Sequence, residues 1–301
     1  MAIKPYLQLV RLPNVFTAAA DSLAGWLLVR GSFSEPGRWA PLVFASMAIY
    51  AAGIALNDYY DYELDRSERP DRPLPSGRVS RRFALVLALG LFGLGLVLAA
   101  LSGSLASLAV AAVLVGCVVL YDAGLRRTSL GPEVMGACRG LNLLLGMSQA
   151  SQLGGPMGWL VAGALALFVV GLTWISRSET FSGRIKGVVA GLVLQDLAIL
   201  GLVIAAFSAR RFPNPGDNPE IVPLVGLTVL LVTALIVNLA VSRAVRDPVP
   251  GRIQKAVKTS VFSLIWLNVG IVAAVRGPLP ALAIAALWIP AFVSGRWLYS
   301  T

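Results

Sequence analysis

The sequence contains no histidine and only two cysteines, Cys117 and Cys138. Without histidine, the chain has no His general base, no His-ligated haem and no zinc site of the deaminase or protease type. Both cysteines lie inside apolar stretches, which argues against a disulfide and against a thiolate metal site. Acid–base or metal chemistry must therefore use carboxylates, tyrosine, lysine or arginine.

Charge is scarce as well. Charged residues make up 13% of the 301 residues and hydrophobic residues 57%, whereas a typical soluble domain is about one quarter charged. Apolar runs long enough to cross a hydrocarbon core of about 30 Å follow one another almost end to end. The runs are continuous rather than alternating, so helices satisfy the backbone in lipid and a barrel does not. We predict a single all-α domain over 1–301, a polytopic membrane bundle of nine or ten transmembrane helices.

The predicted spans leave the number of crossings open, because the last pair is short and the final span could be re-entrant. They are 14–30, 39–61, 82–102, 104–121, 131–151, 157–176, 187–207, 222–243, 256–275 and 279–298.

Basic residues outnumber acidic ones by 25 to 15, for a net charge of +10. They concentrate in every second predicted loop, namely 62–81, 122–130, 177–186 and 244–255. This repeated asymmetry is typical of cytoplasmic loops. We therefore predict an integral protein of the bacterial inner membrane, in contact with lipid, with the N-terminus and these loops cytoplasmic. Nothing in the sequence resembles a nucleic-acid module, and no obligate protein partner is indicated.

An acidic segment at the end of the second span carries the chemistry. It reads NDYYDYELDRSERPDRPLPSGRVS (57–80). On a helix, Asn57, Asp58, Asp61 and Asp65 share one face within ~12 Å of rise. Such oxygen ligands suit Mg²⁺ completed by substrate phosphate oxygens, and the arginines that follow could clamp a diphosphate. The alternative is a helix end with solvated charges. Because the acids begin inside the apolar span, where ionisable residues are costly, we favour a functional site.

This segment resembles the first aspartate-rich motif of the UbiA superfamily of intramembrane prenyltransferases, NDxxDxxxD followed by an RPLxSG loop. RLPNVFTAAADSLAG (11–25) resembles the family's first helix, and MGACRGLNLLLGM (135–147) resembles its fifth. Within the superfamily, PNVFTAAAD, SRSE and the terminal RWLYST resemble the EboC-like branch.

The resemblance implies a Mg²⁺-dependent transfer of a prenyl group from a prenyl diphosphate to an aromatic or other lipophilic acceptor. It implies catalytic and metal-binding roles for the acidic residues Asp58, Asp61, Asp65 and Glu179, with Asn57 as a further metal ligand. The implied substrate-binding residues are Asn57, Arg11, Asn14, Arg66, Arg69, Arg72, Tyr121, Arg126, Arg139, Asn142 and Lys186. Tyrosines near the motif (Tyr59, Tyr60, Tyr62 and Tyr121) could shield an allylic cation or form an interfacial aromatic belt.

Two segments depart from the family pattern. Where a second acidic motif belongs, LTWISRSETFSGRIKG (172–187) offers Glu179 as its only carboxylate. Either Glu179 helps to hold a second ion or the neighbouring basic residues bind the diphosphate instead. In the fourth helix, the positive charge of the usual YxxxK pattern falls on Arg126. Asp122 could supply a missing carboxylate or pair with Arg126.

Polar residues also occur within the spans. Because an arginine in hydrocarbon is costly, we interpret Arg139 and Asn142 as contacts to acceptor or phosphate rather than as links between helices. Asp21 or Asp196 could satisfy Arg139 across the bundle; for Asp21 functional and structural roles stay open, and for Asp196 we favour a structural one. Clustered glycines (Gly90, Gly93, Gly95, Gly187 and Gly191) predict close helix packing.

The competing hypothesis is a catalytically reduced family member that binds or transports a lipophilic metabolite. The thin second motif and the buried charges favour it. A transporter would more often show repeated halves with broken helices, and we find no such repeat. Transport also gives no reason for an acidic helix face followed by a phosphate-type arginine loop.

Overall fold

The computed structural model describes residues 3–178, 185–209 and 222–298, and these residues form α-helices and short 3-10 turns without a β-strand. The helices are α1 Lys4–Leu9, α2 Leu12–Arg30, α3 Pro36–Tyr60, α4 Tyr62–Glu68, α5 Arg81–Leu101, α6 Leu105–Ala123, α7 Gly131–Met147, α8 Gly155–Arg177, α9 Ile185–Ala209, α10 Val222–Arg246, α11 Pro250–Arg276, α12 Pro278–Ala286 and α13 Trp288–Leu298. The predicted all-helical class is confirmed.

Most of these helices are long and apolar enough to cross a bilayer. Among the described residues nine segments qualify by length and composition, with α12 and α13 counted together as one. Helix α7 is shorter, at 17 residues, yet it connects the two ends of the bundle. The turn before α7 carries Arg126, which pairs with Asp61 after α3, and Gln149 after α7 donates to the carbonyl of Ser102 at the end of α5 (3.1 Å). The described part of the chain is therefore that of an integral membrane protein with nine candidate spans, and α7 also runs from one end of the bundle to the other.

The two ends of the bundle differ in composition. The acid-rich end contains α4, the loop that follows it, the α6–α7 turn and the end of α8, where Arg177 donates to the Arg126 carbonyl. At the opposite end, Arg30 donates to the Gln149 carbonyl (2.8 Å) and Arg276 to that of Leu28 (2.6 Å). The chain returns to the acid-rich end at α13, whose Leu298 carbonyl accepts from Gln8 (3.0 Å).

Local signals explain where the helices around the acidic motif begin and end. Asp61 leaves helical geometry with φ −87° and ψ 2°, which ends α3 and lets α4 start in a new direction. Helix α5 begins after Ser80, whose hydroxyl accepts from the Phe83 amide (3.2 Å) as an N-cap. Arg11 precedes α2 in the left-handed region, with φ 45°. A non-glycine residue pays a conformational cost there and persists only where its surroundings hold it.

Close helix contacts explain some of the glycines and not others. Helix α2, the most buried span, packs on α7 so closely that a Cβ on Gly146 would lie 1.9 Å from the Ser22 carbonyl oxygen. The prediction of close packing is confirmed for Gly95, Gly187 and Gly191, which all lie against neighbouring atoms. It is wrong for Gly90 and Gly93, where an added Cβ would meet nothing within 4 Å, because that face of α5 has no helix against it.

Candidate active site

Two of the three motif aspartates share one guanidinium at the acid-rich end. Arg72, in the loop after α4, lies 2.7 Å from Asp65 Oδ2 and 3.7 Å from Asp58 Oδ1 through its Nη1. Arg11 Nη2 donates to the same oxygen of Asp58 (3.1 Å), which the left-handed turn before α2 makes possible. Asp58 and Asp65 are both buried. Their negative charges are therefore compensated by arginines from two separate segments.

The third aspartate faces a different arginine. Both oxygens of Asp61 accept from Arg126, one from each terminal nitrogen, in a bidentate pair. Arg177 at the end of α8 fixes the turn that carries Arg126. The sequence predicted a continuous face of Asn57, Asp58, Asp61 and Asp65, but the helix breaks at Asp61. Within the described ranges no three or more carboxylate or thiol groups converge as a metal-binding cluster.

Asn57 and Asp122 form a polar pair between α3 and α6. Asn57 Nδ2 donates to Asp122 Oδ1 (2.9 Å), and Asp122 is buried. Of the two alternatives for Asp122, the ion pair with Arg126 is not formed, since Arg126 faces Asp61 instead. Asp122 thus adds a fourth buried or half-buried carboxylate to Asp58, Asp61 and Asp65, which the motif alone did not specify.

A cavity of about 370 Å³ opens next to these groups between α2, α3, α6, α7, α8 and α11. Its walls are mostly apolar, with side chains such as Ile49, Val118, Leu172 and Leu264. Six of the predicted substrate-binding residues line it: Arg11, Asn14, Asn57, Tyr121, Arg139 and Asn142. Asp122 also lines the cavity, and Arg72 and Arg126 act on the carboxylates beside it. The cavity is thus an apolar chamber with a charged entrance. This entrance, the mouth, is formed by Asp58, Asp61 and Asp65 with their arginine partners Arg11, Arg72 and Arg126.

A second charged cluster lies inside the bundle. Arg139 Nε is 2.7 Å from Asp21 Oδ2, and neither side chain is more than 7% exposed. Asn142 donates to Asp21 Oδ2 (3.1 Å) and Asn268 to Asp21 Oδ1 (2.7 Å). The Arg139–Asp21 contact is an ion pair that is not aligned as a hydrogen bond. Among the described residues, Nε and Nη2 of Arg139 and Oδ1 of Asn142 are buried without a hydrogen-bond partner, and both residues line the cavity.

Asp21 and Asp196 were the two partners considered for Arg139, and the structure confirms Asp21. Asp196 does not reach Arg139, because its carboxylate accepts from Asn238 (2.7 Å) on the exposed side of α9 and α10. Sequence reasoning missed Asn268 and Tyr50, whose ring centroid lies 6.0 Å from the Arg139 guanidinium carbon. The polar Asn268 within the apolar run LIWLNVGIV was a signal that could have identified it.

The structure does not bring the remaining candidates to the cavity. Arg66 is 62% exposed and pairs with the equally exposed Glu63 (3.6 Å), while Arg69 and Lys186 are also exposed and do not line the cavity. Glu179 lies outside the described residues. Its predicted role is therefore neither supported nor opposed.

The four tyrosines in or near the motif also differ in whether they reach the cavity. Tyr59 and Tyr62 stack against Arg81, whose guanidinium carbon lies 4.5 Å and 5.3 Å from their ring centroids. Tyr60 is 43% exposed. These three fit the interfacial alternative, and Tyr121 alone among the four lines the cavity.

Known proteins resemble the chain in sequence and in fold. The UbiA prenyltransferase family model matches residues 18–245. A digeranylgeranylglyceryl phosphate synthase of Metallosphaera sedula is 37% identical over 145 residues, which cover 48% of this chain and 51% of the relative. The aligned part of the chain thus spans about half the length of that relative.

Solved structures share the architecture over most of both chains. The apo structure of a UbiA homolog from Aeropyrum pernix K1 has a TM-score of 0.65 at 21% identity, over 85% of this chain and 96% of the other. A UbiA homolog from Archaeoglobus fulgidus bound to GPP and Mg²⁺ has a TM-score of 0.58 at 12% identity, over 89% and 99%. At these identities the likeness establishes the fold alone.

The family match covers well over half of the chain; it includes the three motif aspartates and the Arg139–Asp21 pair, whereas Arg11 and Asn268 lie outside it. It supports the superfamily, while the finer placement in the EboC-like branch stays a prediction. The all-helical membrane bundle, the mouth built on the acidic motif and the matched segment lead to one assignment: the chain belongs to the UbiA prenyltransferase family.

Proposed function

We propose that the protein transfers a prenyl group from an isoprenoid diphosphate to a lipophilic acceptor within the membrane. The observation that carries this proposal is the position of the arginine–carboxylate mouth on an apolar chamber. A diphosphate needs dense positive charge, and a prenyl chain needs an apolar, water-excluding space. The two requirements are met side by side.

Magnesium fits the chemistry of the mouth. Asp58 and Asp65 already approach a single cationic group, the Arg72 guanidinium, so two carboxylates converge on one positive charge. Asp58, Asp65, Asp61 and Asn57 offer the oxygen ligands that Mg²⁺ prefers. When bound, the ion supplies positive charge that stabilises the leaving diphosphate. Glu179 stays a predicted ligand from beyond the described residues.

The arginines perform the electrostatic part of the reaction. When the allylic C–O bond breaks, its electron pair leaves with the diphosphate, and Arg11, Arg72 and Arg126 are placed to compensate the growing negative charge. Asp58, Asp65 and Asp61 pair with these arginines and so position them at the mouth. The apolar walls keep water from the allylic cation until the acceptor donates an electron pair, forms the new bond and releases a proton.

The charged cluster inside the bundle, which we call the deep cluster, consists of Arg139, Asp21, Asn142 and Asn268. It offers a place for the polar part of an acceptor. Arg139 and Asn142 line the cavity, and Nη2 of Arg139 and Oδ1 of Asn142 are buried without hydrogen-bond partners in the described part of the chain. Buried polar groups of this kind are normally satisfied, so a ligand that reaches them gains affinity. The name of the M. sedula relative indicates a glyceryl phosphate lipid, and an acceptor of that class would bring an anionic group for Arg139.

We also propose that the acid-rich end faces the cytoplasm. The basic loops lie at this end, including the segment 62–81 and the turn between α10 and α11, as the orientation rule for membrane proteins requires. The prenyl diphosphate would then enter from the cytoplasmic leaflet.

The proposal is tested by diphosphate release from labelled geranylgeranyl diphosphate in membranes that contain the protein, with Mg²⁺ or with EDTA. We expect metal-dependent release that is lost in Asp58→Asn and in Asp61→Asn. Full release by both variants would remove the mouth from the mechanism. Metal-dependent diphosphate binding without release would instead favour a catalytically reduced member that binds or transports a lipophilic metabolite.

A further inference from the structure

A second concave site lies on the outer surface of the bundle, away from the active cavity. It is a groove of about 310 Å³ between α10 and α11, lined by Ile236, Leu239, Ala240, Arg243, Arg252, Lys255 and Thr259. The α10 residues include Ile236 and Leu239, and both are half exposed. Nothing in the proposed reaction uses this groove.

The groove is apolar toward the bundle middle and basic at the acid-rich end. On α10, Ile236, Leu239 and Arg243 recur at spacings of three and four residues and so form one stripe. Arg243 lies seven residues beyond Ile236, which is ~10 Å along the helix. On α11, Arg252 and Lys255 face the same end. This polarity matches an amphiphile with its head at the membrane surface.

Among the described residues, two of the three cations in the groove have no carboxylate in an ion pair with them. Arg252 pairs with Asp247 (3.1 Å) in the turn between the helices. No carboxylate in the described ranges lies within ion-pair distance of Arg243 or Lys255. The plain explanation of basic residues here is membrane orientation. It accounts for their number but not for their convergence on one groove, which Arg246, exposed on the same helix, does not line.

We propose that this groove binds an anionic phospholipid of the surrounding membrane. Arg243 and Lys255 contact the headgroup phosphate, and an acyl chain lies along Ile236 and Leu239. Basic pockets between helices at the cytoplasmic surface are the sites at which such headgroups bind, and each cation contributes the equivalent of about five-fold in affinity. A phospholipid, unlike a soluble phosphate, uses both the cations and the apolar wall.

The test uses the full-length protein in phosphatidylcholine nanodiscs that carry increasing phosphatidylglycerol with the same acyl chains. Native mass spectrometry counts the lipids retained by wild type and by Arg243→Gln, Lys255→Gln and Arg246→Gln, each lacking one charge. We expect retention of phosphatidylglycerol over phosphatidylcholine, an apparent affinity about five-fold weaker in the first two variants, and less than a two-fold change in Arg246→Gln. All three residues are exposed, so an unfolding midpoint for each variant checks that folding is intact.

Competition identifies the ligand. Inorganic phosphate and farnesyl diphosphate are each added to the phosphatidylglycerol complex, and neither is expected to displace the lipid at equal concentration. Equal losses in all three variants would show a general field instead of a site and would overturn the proposal. Retention of phosphatidylcholine equal to phosphatidylglycerol would overturn it too. Displacement by farnesyl diphosphate would assign the groove to the substrate instead.

Discussion

Ion pairs of arginine with aspartate occur in two settings inside this bundle, at the mouth and in the deep cluster. At the mouth, the more exposed partner of each pair keeps contact with solvent: the Arg11 side chain is 34% exposed beside Asp58 at 6%, and Asp61 is 17% exposed beside Arg126 at 10%. In the deep cluster, Arg139 and Asp21 are 7% and 0% exposed and are joined by Asn142 and Asn268.

The comparison indicates that burial determines whether the arginine of such a pair can exchange its carboxylate for a substrate. At a solvated mouth, an arginine can exchange its carboxylate for a diphosphate, because water and substrate compensate the charge that is released. Inside the bundle, separating the pair would leave an uncompensated charge in a low-dielectric medium. We therefore expect mouth variants to lose activity with little loss of stability, and deep-cluster variants to lose stability first.

The largest effect is expected from Asp21→Asn. The substitution keeps the size of the side chain but leaves the Arg139 charge unpaired and buried, at a cost of about 3–5 kcal/mol. The free energy of unfolding, measured by SDS titration in mixed micelles, reports it. Asp196→Asn is the control, since Asp196 is also within a span but is exposed and bonded only to Asn238. Equal losses in the two variants would remove the distinction based on burial.

At the mouth, Asp61→Asn is expected to lower turnover by about 100- to 1000-fold, because the Mg²⁺ that would stabilise the leaving diphosphate loses a carboxylate ligand. The same SDS titration should change far less than for Asp21→Asn. Glu63→Gln makes the same chemical change on the exposed side of α4, where Glu63 is 72% exposed, and turnover should stay within about two-fold. A loss in Glu63→Gln as large as in Asp61→Asn would mean that general surface charge, not the mouth, determines activity.

The deep cluster also depends on the distance between α2 and α7. Gly146→Ala would place a Cβ 1.9 Å from the Ser22 carbonyl oxygen, next to Asp21, and the forced separation should cost about 1–3 kcal/mol. Gly90→Ala has open space at the new methyl group and should be neutral or slightly stabilising, because alanine favours the helix. The SDS unfolding midpoint separates the two, and an unchanged midpoint for Gly146→Ala would contradict the packing account.

The smallest effect is expected from a comparison of two arginines, Arg126 and Arg66, which the sequence analysis gave the same substrate-binding role. Arg126→Gln should raise the KM for prenyl diphosphate by about ten-fold, since a charge-assisted contact is lost. Arg66→Gln should leave KM unchanged, because Arg66 is exposed and pairs only with Glu63. Steady-state kinetics at saturating acceptor measures both, and a shared increase would place Arg66 back in the site.

The sequence was sufficient for the membrane bundle and for the mouth's location. Apolar run length and the spacing of Asn57, Asp58, Asp61 and Asp65 depend on local chemistry, which a sequence shows directly. The break at Asp61 was not visible, because a helix end without glycine or proline leaves no clear signal. That break decides that Asp61 meets Arg126 while Asp58 and Asp65 share Arg72.

Contacts between side chains that are distant in the sequence were harder to predict. Arg139 had two conceivable carboxylate partners, Asp21 and Asp196, and only the packing of α2, α7 and α11 selects Asp21 and adds Asn142 and Asn268. Arg66, Arg69 and Arg72 look equivalent along the chain. The loop after α4 turns back so that Arg72 alone among them reaches the carboxylates, and no rule of spacing predicts that turn.

Binding of farnesyl thiolodiphosphate, a slowly reacting diphosphate analogue, tests the central claim most directly. Calorimetry in nanodiscs would compare wild type with Asp58→Asn/Asp61→Asn, with Mg²⁺ and with EDTA, alongside SDS titration of both proteins. The account predicts Mg²⁺-dependent binding that the double variant loses while it stays folded, with a smaller loss of unfolding free energy than Asp21→Asn shows. Wild-type affinity in a folded double variant, or binding that EDTA leaves unchanged, would contradict it.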